Sequence, residues 1–515
     1  MAEDRNTLSE SSGRIARNTL LLYFRMILLL VIGLYTSRVI LQTLGTDDVG
    51  IYNVVGGVVT MFAFLNSAMV GVSQRYITFS LGKGDPEASR KVFSTVMAMH
   101  IAIAAIVLVV GEAGGLWLLN HRMVIPPDRA GAAFWVFQSS MLSLLFMMVS
   151  VPYNGAIIAH EKMEAFAYIS LFDAGAKLAI AFLIGFMKSD RLIIYAILLL
   201  AVQVIDRIVY GIYCRKHFEE CRLGAKVDRN LFREMLGFGG WNMFGSLASV
   251  GMTQGVNVLL NIFFGPAVNA ARSFAVQIES CVTGFVSNFQ TAINPQIIKN
   301  YASDSKERMH SLVFSSGRYS FYLLLMIALP LILKADYVVT LWLKTPPEHT
   351  ASFIRIIMLT ALVNTMSGAV NIASQATGDV RKVQVTVGSV LLSIVPVAYL
   401  ALKLGAPAEA VFITCLLITA AAQLIRLWIV CPMIGMRKRD YFRNVYLPVA
   451  KVAAPAAIAG TLIHAALPKD DFATLAATVA ICIAVTAACI YFLGIGKAEK
   501  EFLKDRLSSI LGKKR

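Results

Sequence analysis

Two apolar runs near the N-terminus decide the fold. They are TLLLYFRMILLLVIGLYTSRVILQTL at residues 19–44 and GIYNVVGGVVTMFAFLNSAMVGVSQRYI at residues 50–77, joined by GTDDV. Each run exceeds the roughly 20 residues that an α-helix needs to cross the hydrocarbon core of a bilayer. The pair therefore predicts a hairpin of two membrane-spanning helices.

Three arginines, Arg25, Arg38 and Arg75, lie within or at the ends of these runs. An arginine at the bilayer centre costs about 2.5–3.5 kcal/mol on insertion scales, so it is kept where it reaches the headgroups or faces a wet interior. The second run favours the interior, because four polar residues recur every seven positions and share one helix face. These residues are Asn53, Thr60, Ser67 and Gln74. The hairpin is predicted to line a cationic, water-filled cavity.

The whole chain has the composition of a polytopic membrane protein. Its 515 residues are 57% hydrophobic and 15% charged, with a mean hydropathy of +0.67. Such values are not those of a soluble enzyme. We predict an all-α protein with about 14 transmembrane helices. The predicted spans are 18–44, 50–78, 92–119, 130–155, 166–187, 192–213, 234–262, 268–297, 315–343, 352–377, 382–403, 408–431, 447–467 and 472–494.

The net charge of +16 reflects topology. With the N-terminus inside, most lysines and arginines outside the spans fall in the inner segments, which is the positive-inside bias. Both termini are therefore predicted to be cytoplasmic, and no nucleic-acid partner is expected. Every outer loop is short, so no soluble catalytic domain is predicted.

The chain contains an internal repeat in which matching residues are separated by the same number of positions. The matching positions are Gly45 with Gly265, Pro126-Pro127 with Pro346-Pro347, and Lys162 with Lys382. Six helices is an even number, so the two copies are predicted to be parallel repeats around a central cavity, with two extra C-terminal helices. The predicted domains are a cytoplasmic tail at 1–17, an N-lobe at 18–213, a basic cytoplasmic linker at 214–233, a C-lobe at 234–431, a basic loop at 432–446, helices thirteen and fourteen at 447–494, and a basic amphipathic tail at 495–515.

Polar stripes also mark the second copy. Residues spaced by three or four positions share one helix face, but Ser, Asn and Gly also mediate ordinary helix packing in membranes, so packing is an open alternative for each stripe. The predicted contributors to a polar lumen are Asn242 and Asn257 on helix seven, Arg272 and Gln290 on helix eight, and Asn364 on helix ten.

Three intramembrane acids are candidates for coupling to protons or sodium: Asp173, Asp206 and Glu279. Asp173 and Lys177 are four residues apart and can pair on one helix face, which favours a structural role for that pair. Asp206 and its neighbour Arg207 point about 100° apart on a helix, so each needs another partner. Nothing in the sequence selects among the three acids.

Within the spans, cations outnumber acids. A guanidinium group grips phosphate oxygens through two parallel hydrogen bonds, so an interior of this sign suits an anionic cargo, whereas a pump for cationic drugs needs the opposite sign. The charge pattern favours a phosphate-bearing lipid whose tail stays in the bilayer while its head crosses the cavity.

Several short motifs carry a family resemblance. They are LGxxDxGIYNVVGG at 44–57, QRY at 74–76, GKGD at 82–85, AARS at 270–273 and NPQI at 294–297. Their pattern resembles the bacterial polysaccharide flippases of the Wzx type, within the multidrug/oligosaccharidyl-lipid/polysaccharide exporter (MOP) superfamily. The resemblance implies a two-lobed, fourteen-helix protein of the bacterial cytoplasmic membrane that flips undecaprenyl-diphosphate-linked glycans by alternating access. It also implies that Arg25 and Arg38, and next Arg272, correspond to the cavity arginines of relatives.

The expected partners are a lipid-linked anionic oligosaccharide, membrane lipid and other glycan-assembly proteins, with no cofactor and no metal. The alternatives are a lipid II flippase and a MATE-like cation-coupled exporter. A membrane-bound glycan polymerase or ligase needs a catalytic constellation and a substantial outer loop, and the sequence has neither, so no enzyme is predicted. The predicted substrate-binding set is Arg25, Arg38, Arg75, Arg272, Asn53, Thr60, Ser67, Gln74, Asn242, Asn257, Gln290 and Asn364.

Overall fold

The structure is a computed structural model of the chain. Four of the predicted site residues, Arg38, Asn53, Thr60 and the side chain of Ser67, lie outside the described residues, as do the tails 1–17 and 501–515. The described residues run from 18 to 500, except 19, 34, 37–38, 41, 46–47, 49–50, 53–54, 57–58, 60–62, 122–124, 223, 265, 344–345, 468–470 and 497–498.

Within these ranges the chain forms helices and turns only, which confirms the all-α prediction. The helices are α1 Leu20–Gly33, α2 Ala63–Lys83, α3 Pro86–His121, α4 Ala130–Ala159, α5 Met163–Leu183, α6 Arg191–His217, α7 Arg229–Phe264, α8 Pro266–Ala302, α9 Lys306–Leu333, α10 Ala335–Leu343, α11 Thr350–Thr365, α12 Gly368–Thr377, α13 Arg381–Leu392, α14 Ile394–Lys403, α15 Glu409–Met433, α16 Lys438–Tyr441, α17 Leu447–Ala466 and α18 Phe472–Cys489.

Eleven helical segments of the described chain are long and apolar enough to cross a membrane. Large apolar side chains such as Ile106, Val109 and Ile212 are exposed on them, as a lipid environment requires. The helices α2 and α8 are long enough to span but fall outside this set, because they carry many polar residues. The helix α2 contains the second half of the first predicted polar stripe, and α8 contains the stripe of Arg272 and Gln290.

Three predicted spans contain a helix break that the sequence does not predict, although two of them, Thr350–Thr377 and Arg381–Lys403, still form one candidate span each. The span 315–343 divides into α9 and α10, 352–377 into α11 and α12, and 382–403 into α13 and α14. At two breaks a serine hydroxyl donates to the carbonyl three residues earlier: Ser367 to Asn364 at 2.5 Å and Ser393 to Val390 at 2.6 Å. Such bonds compete with the helical ladder, and hydropathy does not detect them.

Helix ends also differ from the predicted spans. The helix α3 begins at Pro86 instead of 92, and α9 begins at Lys306 instead of 315, because polar turns extend each helix beyond its apolar part. The predicted loop 432–446 is helical from Lys438, where α16 continues through a π-helical turn into α17. The linker between α6 and α7 is shorter than the predicted 214–233, since α6 ends at His217 and α7 starts at Arg229.

The repeat is visible in the helix boundaries. Pro86 and Lys306 begin α3 and α9, and Ala130 and Thr350 begin α4 and α11. Each pair keeps the offset of the sequence repeat. The turns after α2 and α8 also share a backbone conformation at matching positions, with positive φ at Gly84 (73°) and Asp304 (56°). The two halves therefore fold from the same sequence plan.

The chain packs into two compact units. Unit 1 comprises Met1–Leu247, Thr291–Ser305 and Gly378–Arg381, and unit 2 comprises Ala248–Gln290, Lys306–Thr377 and Lys382–Arg515. The unit boundaries fall inside α7 and α8, whereas the predicted lobes follow the repeat. In unit 1, Phe93, Phe137 and Tyr153 are fully buried; in unit 2, Phe353 and Tyr441 are.

Candidate functional site

In unit 1, the predicted coupling acids of α5 and α6 lie together. The Nζ atom of Lys177 donates to Oδ2 of Asp173 at 2.8 Å, which confirms the predicted pairing. Nε2 of Gln203 donates to the other oxygen of Asp173 at 3.4 Å. Asp206 is buried beside Asp173, and its Oδ1 has no hydrogen-bond partner within the described chain. Two neighbouring carboxylates share a proton more readily than they carry two charges.

Arg207 points away from these acids. Its guanidinium lies 4.4 Å from the ring centroid of Tyr153, and Nη2 contacts the Tyr153 hydroxyl at 3.4 Å. Adjacent residues on one helix thus serve separate partners, as their angular separation on the helix predicts.

Arg25 lies on α1 near the same cluster. Its guanidinium stacks on the ring of Phe166 at 4.3 Å, and Tyr210 is its electrostatic neighbour. Tyr210 in turn neighbours Asp206. The Nε atom of Arg25 is buried without a hydrogen-bond partner in the described part of the chain. The guanidinium therefore has an aromatic support and an unused donor.

Arg75 has a different environment. It is 5% exposed, lies 4.1 Å from the ring centroid of Tyr76 and 5.3 Å from that of Phe238, and pairs with Glu234 at 3.7 Å. The turn residue Gly378, with φ of +84°, lies directly against its guanidinium. These contacts give Arg75 the surroundings of a structural cation.

Two other predicted residues lie in unit 1 apart from this cluster. Asn242 is buried on α7, where its Nδ2 donates to the carbonyl of Phe238 at 3.1 Å. Gln74 is half-buried on α2.

In unit 2, Arg272 and Asn257 come together. Nη1 of Arg272 donates to Oδ1 of Asn257 at 2.5 Å, and Nη2 donates to the carbonyl of Thr253 at 3.3 Å. Glu279 is close enough to interact with Arg272 electrostatically. The predicted stripes of α7 and α8 thus face each other within this unit.

A polar cavity of about 580 Å³ lies in unit 2. It is lined by side chains from α8, α11, α12 and α15. Three predicted residues, Glu279, Gln290 and Asn364, meet there. The break between α11 and α12 forms part of its wall, through Thr365, Ser367 and Gly368.

Gln290 has a structural task at this break. Its Nε2 donates to Oγ of Ser320 at 3.1 Å and to the carbonyl of Thr365 at 3.2 Å. The second bond satisfies a carbonyl that the interrupted helix leaves open, which is essential at membrane depth. The side chain fits only because residue 368 is glycine, since a Cβ there would lie 2.5–2.7 Å from the Gln290 amide group.

The cavity also contains residues that the predicted site omits, Asn371 and Arg426. Asn371 belongs to the helix-ten stripe of Asn364. Arg426 is a lone cation between Leu424-Ile425 and Leu427-Trp428 on α15, a pattern that could have identified it from sequence. Its Nη1 contacts Gln423 at 3.4 Å, and its Nε has no hydrogen-bond partner in the described chain.

The arrangement suits binding and translocation. Unit 1 contains an arginine stacked on an aromatic ring near two acids, and unit 2 contains an arginine bonded to neutral groups near Glu279. Unit 2 also contains a cavity with many amide and hydroxyl groups. Within the described ranges, no group of three or more His, Cys, Asp or Glu side chains is placed to hold a metal ion.

Comparison with known proteins places the fold. No protein-family model matches the sequence, and no curated protein does. Solved structures do match. A MATE transporter in a bent conformation matches with a TM-score of 0.73 and 13% identity, covering 84% of this chain and 97% of that one. An outward-facing multidrug resistance MATE family transporter of the MOP superfamily matches with a TM-score of 0.71 and 12% identity, covering 82% and 96%.

A third match is a MOP superfamily transporter from Pyrococcus furiosus, for which reverse polarity of the binding pocket suggests a different function. Its TM-score is 0.67 at 13% identity, and the match covers 82% of this chain and 96% of that one. At these identities the likeness concerns the fold. The chain is a multi-pass membrane protein with the fold of the MATE transporters of the MOP superfamily.

Proposed function

We propose that the chain is a flippase that moves undecaprenyl-diphosphate-linked oligosaccharide repeat units across the bacterial cytoplasmic membrane by alternating access, with both termini in the cytoplasm. The transporter fold supports translocation, and the excess of intramembrane cations over acids supports an anionic cargo. The Wzx-like motifs support a glycan as its polar head.

The observation that carries the proposal is the environment of Arg25. Its Nε donor is unused, its guanidinium is supported by Phe166, and within the described chain no acidic side chain pairs with it. A guanidinium in a membrane helix stays charged and is stabilised by a counter-charge. A diphosphate supplies that charge and accepts two parallel hydrogen bonds. In unit 2, Arg272 is bonded only to the neutral oxygens of Asn257 and Thr253, so this unit also contains an arginine suited to an anionic group.

Energy coupling is proposed at the acids. A proton or sodium ion exchanged at Asp173 and Asp206 alters the charge near Tyr210, which lies between these acids and Arg25. Binding of the diphosphate and binding of the cation are then linked through one short chain of side chains. Glu279, near Arg272, offers the corresponding group in unit 2.

A MATE-like cation-coupled exporter is the second candidate, favoured by the paired carboxylates of Asp173 and Asp206 in unit 1. Proton-driven efflux of a cationic dye from cells that carry the protein would support this candidate. Absence of dye efflux from cells in which lipid-linked glycan export is restored would support the flippase.

The decisive experiment is mass spectrometry of lipid-linked intermediates in a strain that lacks the protein. We expect undecaprenyl-diphosphate-linked repeat units to accumulate on the inner face. Accumulation of lipid II would identify a peptidoglycan precursor as cargo, and shortened but exported chains would indicate a polymerase. Either result would contradict the proposal.

The Arg25→Ala variant should be expressed but fail to complement that strain. Arg25→Lys should complement partly, because it keeps the charge but cannot donate two parallel hydrogen bonds. Lys451→Gln removes an exposed cation from α17 and serves as the control. Full complementation by Arg25→Ala would remove this residue from the mechanism.

A further inference from the structure

The cavity in unit 2 has the dimensions of a ligand pocket. Its volume of about 580 Å³ falls within the roughly 300–1,000 Å³ of typical small-molecule sites. Along α8 it extends from Glu279 to Gln290, which corresponds to about 16 Å at roughly 1.5 Å per residue. An elongated space of this size accommodates a sugar unit with its substituents.

The lining is polar where a membrane helix bundle is normally apolar. Ser280, Thr283 and Ser287 face the cavity from α8, and Asn364 and Asn371 face it from α11 and α12. Amide and hydroxyl groups both donate and accept hydrogen bonds, so they match the hydroxyl groups of a sugar. Only two aliphatic residues, Val286 and Ala361, belong to the described lining.

The two charges in the cavity occupy different surroundings. The electrostatic neighbour of Glu279 is Arg272, whereas the neighbours of Arg426 are Tyr441 and Tyr446. No acidic side chain pairs with Arg426 in the described chain, so its charge is not neutralised by Glu279. The Arg426 end of the cavity is therefore cationic.

The backbone around Arg426 is already satisfied. The hydroxyl of Tyr441 donates to the carbonyl of Met366 at 2.8 Å, and Gln290 donates to that of Thr365. The carbonyl groups at these two positions therefore already have donors other than the guanidinium. Its unused Nε donor needs an acceptor that the described chain does not provide.

We propose that this cavity binds one hydroxyl-rich sugar unit that carries an oxyanion, with the oxyanion on Arg426 and the sugar hydroxyl groups on Asn364, Asn371 and Glu279. The inference deepens the proposed function and rests on it, because it assigns an acidic or phosphorylated sugar to the transported glycan. Arg426 is then the residue that distinguishes charged from neutral repeat units.

The test measures binding to the purified full-length protein by the shift of its thermal unfolding temperature. The probes are D-glucuronate, glucose 1-phosphate and D-glucose, with sodium chloride added to equalise ionic strength. We expect at least one of the two anionic sugars to bind more tightly than glucose. Which of them binds identifies a carboxylate or a phosphate as the oxyanion. Equal binding of all three would overturn the proposal.

The Arg426→Gln variant should weaken binding of the anionic sugar about tenfold or more and leave glucose within about twofold, since it removes only the charged hydrogen bonds. Arg426→Lys should be intermediate. Asn371→Ala should weaken all three sugars alike, and Lys451→Gln should change none. Unaltered anion binding in Arg426→Gln would overturn the assignment.

This experiment is independent of the transport assay. Suppose that the deletion strain accumulates repeat units while Arg426→Gln binds and transports acidic glycans normally. The flippase function is then supported and the sugar site is contradicted. Suppose instead that the purified wild type binds the anionic sugar through Arg426 but no repeat unit accumulates in the deletion strain. The sugar site is then supported and the flippase function is contradicted.

Discussion

Gly378 shows how one backbone conformation determines the position of a buried cation. Its φ of +84° is accessible to glycine and strained for other residues, and a Cβ there would overlap the Arg75 guanidinium. The turn after α12 can therefore lie directly against Arg75, which is stacked on Tyr76 and paired with Glu234. The sequence predicts that Arg75 binds substrate, whereas its contacts in unit 1 favour a structural role.

Gly378→Ala should destabilise the protein more than a glycine substitution at similar φ elsewhere. Gly405 is the matched control, with φ of +86° and open space around its Cβ position. Gly405→Ala should cost about 1 kcal/mol from backbone strain alone. Gly378→Ala should cost about 1–3 kcal/mol more from displacement of Arg75. Chemical unfolding in mixed micelles measures both values, and equal losses would show that Arg75 does not depend on this turn.

Gly368→Ala tests the contact between α12 and Gln290. The new methyl group would meet the Gln290 amide at 2.5–2.7 Å, so it should displace Gln290 and leave the Thr365 carbonyl without its donor. We expect a loss of about 1–3 kcal/mol. In a Gln290→Ala background the same substitution should cost much less, because the clash is gone. Additive effects in this double-mutant cycle would refute the contact.

In each repeat a side-chain contact joins the beginnings of two helices. These helices are α4 and α6 in the first repeat, and α11 and α15 in the second. In unit 1, Nη1 of Arg129 contacts Oδ2 of Asp190 at 2.7 Å. In unit 2, Nδ1 of His349 contacts Oε1 of Glu409 at 2.6 Å. Arg129 and His349 occupy matching positions of the two repeats, so the contact is duplicated even though the residues that make it differ. This repeated contact links the first turns of two helices in each repeat.

Asp190 combines this ion pair with a helix cap, and two substitutions separate the roles. Its Oδ1 accepts from the backbone N–H groups of Leu192 and Ile193 at 3.0 and 3.3 Å. Asp190→Ala loses cap and pair and should cost about 1–2 kcal/mol. Asp190→Asn keeps a capping oxygen and should cost only about 0.5–1 kcal/mol, since the pair is partly exposed. Equal costs in an unfolding titration would contradict this division.

The linker between α6 and α7 is anchored by a pH-sensitive hydrogen bond. Burial alone would raise the pKa of Glu220, but hydrogen bonds from His160 and from its own backbone N–H outweigh this effect and lower the pKa. A carboxyl with a lowered folded-state pKa contributes stability above its unfolded pKa, and the contribution disappears as the pH falls through the folded value.

The stability advantage of wild type over Glu220→Gln should therefore be greatest near neutral pH and decline below a pH of about 4.5, the ordinary value of the group. Unfolding titrations of both proteins between about pH 7 and about pH 3.5 check this expectation. A difference that does not change with pH would show that the Glu220 charge is not involved.

For the whole molecule, periodicity and composition predicted the helices and the repeat, because the bilayer imposes length and polarity on each span. The Pro-Pro pairs at 126–127 and 346–347 indicated the offset that the starts of α4 and α11 display. The breaks at Ser367 and Ser393 were not predictable, since serine occurs equally in continuous helices and its hydroxyl bond depends on local geometry.

The site was predictable only in part. Spacing put Gln290 and Asn364 on lumen-facing stripes, and the charge pattern singled out Glu279 as an intramembrane acid. The structure brings all three to one cavity. Gln290 already donates hydrogen bonds to Ser320 and Thr365, and spacing alone could not show this. Arg25 lies within an apolar run and Arg75 follows Ser73 and Gln74, but only the packed structure shows that Arg75 is paired and that Arg25 has an unused donor.

Glu161 joins the two repeats inside unit 1. It lies at the turn between α4 and α5 with φ of +59°, and its side chain is 9% exposed. From α8 of the second repeat, Lys299 donates to Oε1 at 3.1 Å and Gln296 donates to Oε2 at 3.3 Å. Asn18, at the beginning of the described chain, donates to its carbonyl at 3.2 Å. Segments distant in sequence thus depend on one residue.

Charge reversal tests this junction. Lys299→Glu places two carboxylates together in a largely buried position and should cost about 1–3 kcal/mol. The double variant Glu161→Lys/Lys299→Glu restores opposite charges, and the Gln296 amide can rotate to offer its oxygen to the new lysine, so at least half of the loss should return. Lys91→Glu, at an exposed position on α3, should be neutral. Unfolding titrations should follow this order, and under the proposed flippase function complementation of the deletion strain should follow it too. A double variant as unstable as Lys299→Glu would show that the charge pair does not hold α8 in unit 1.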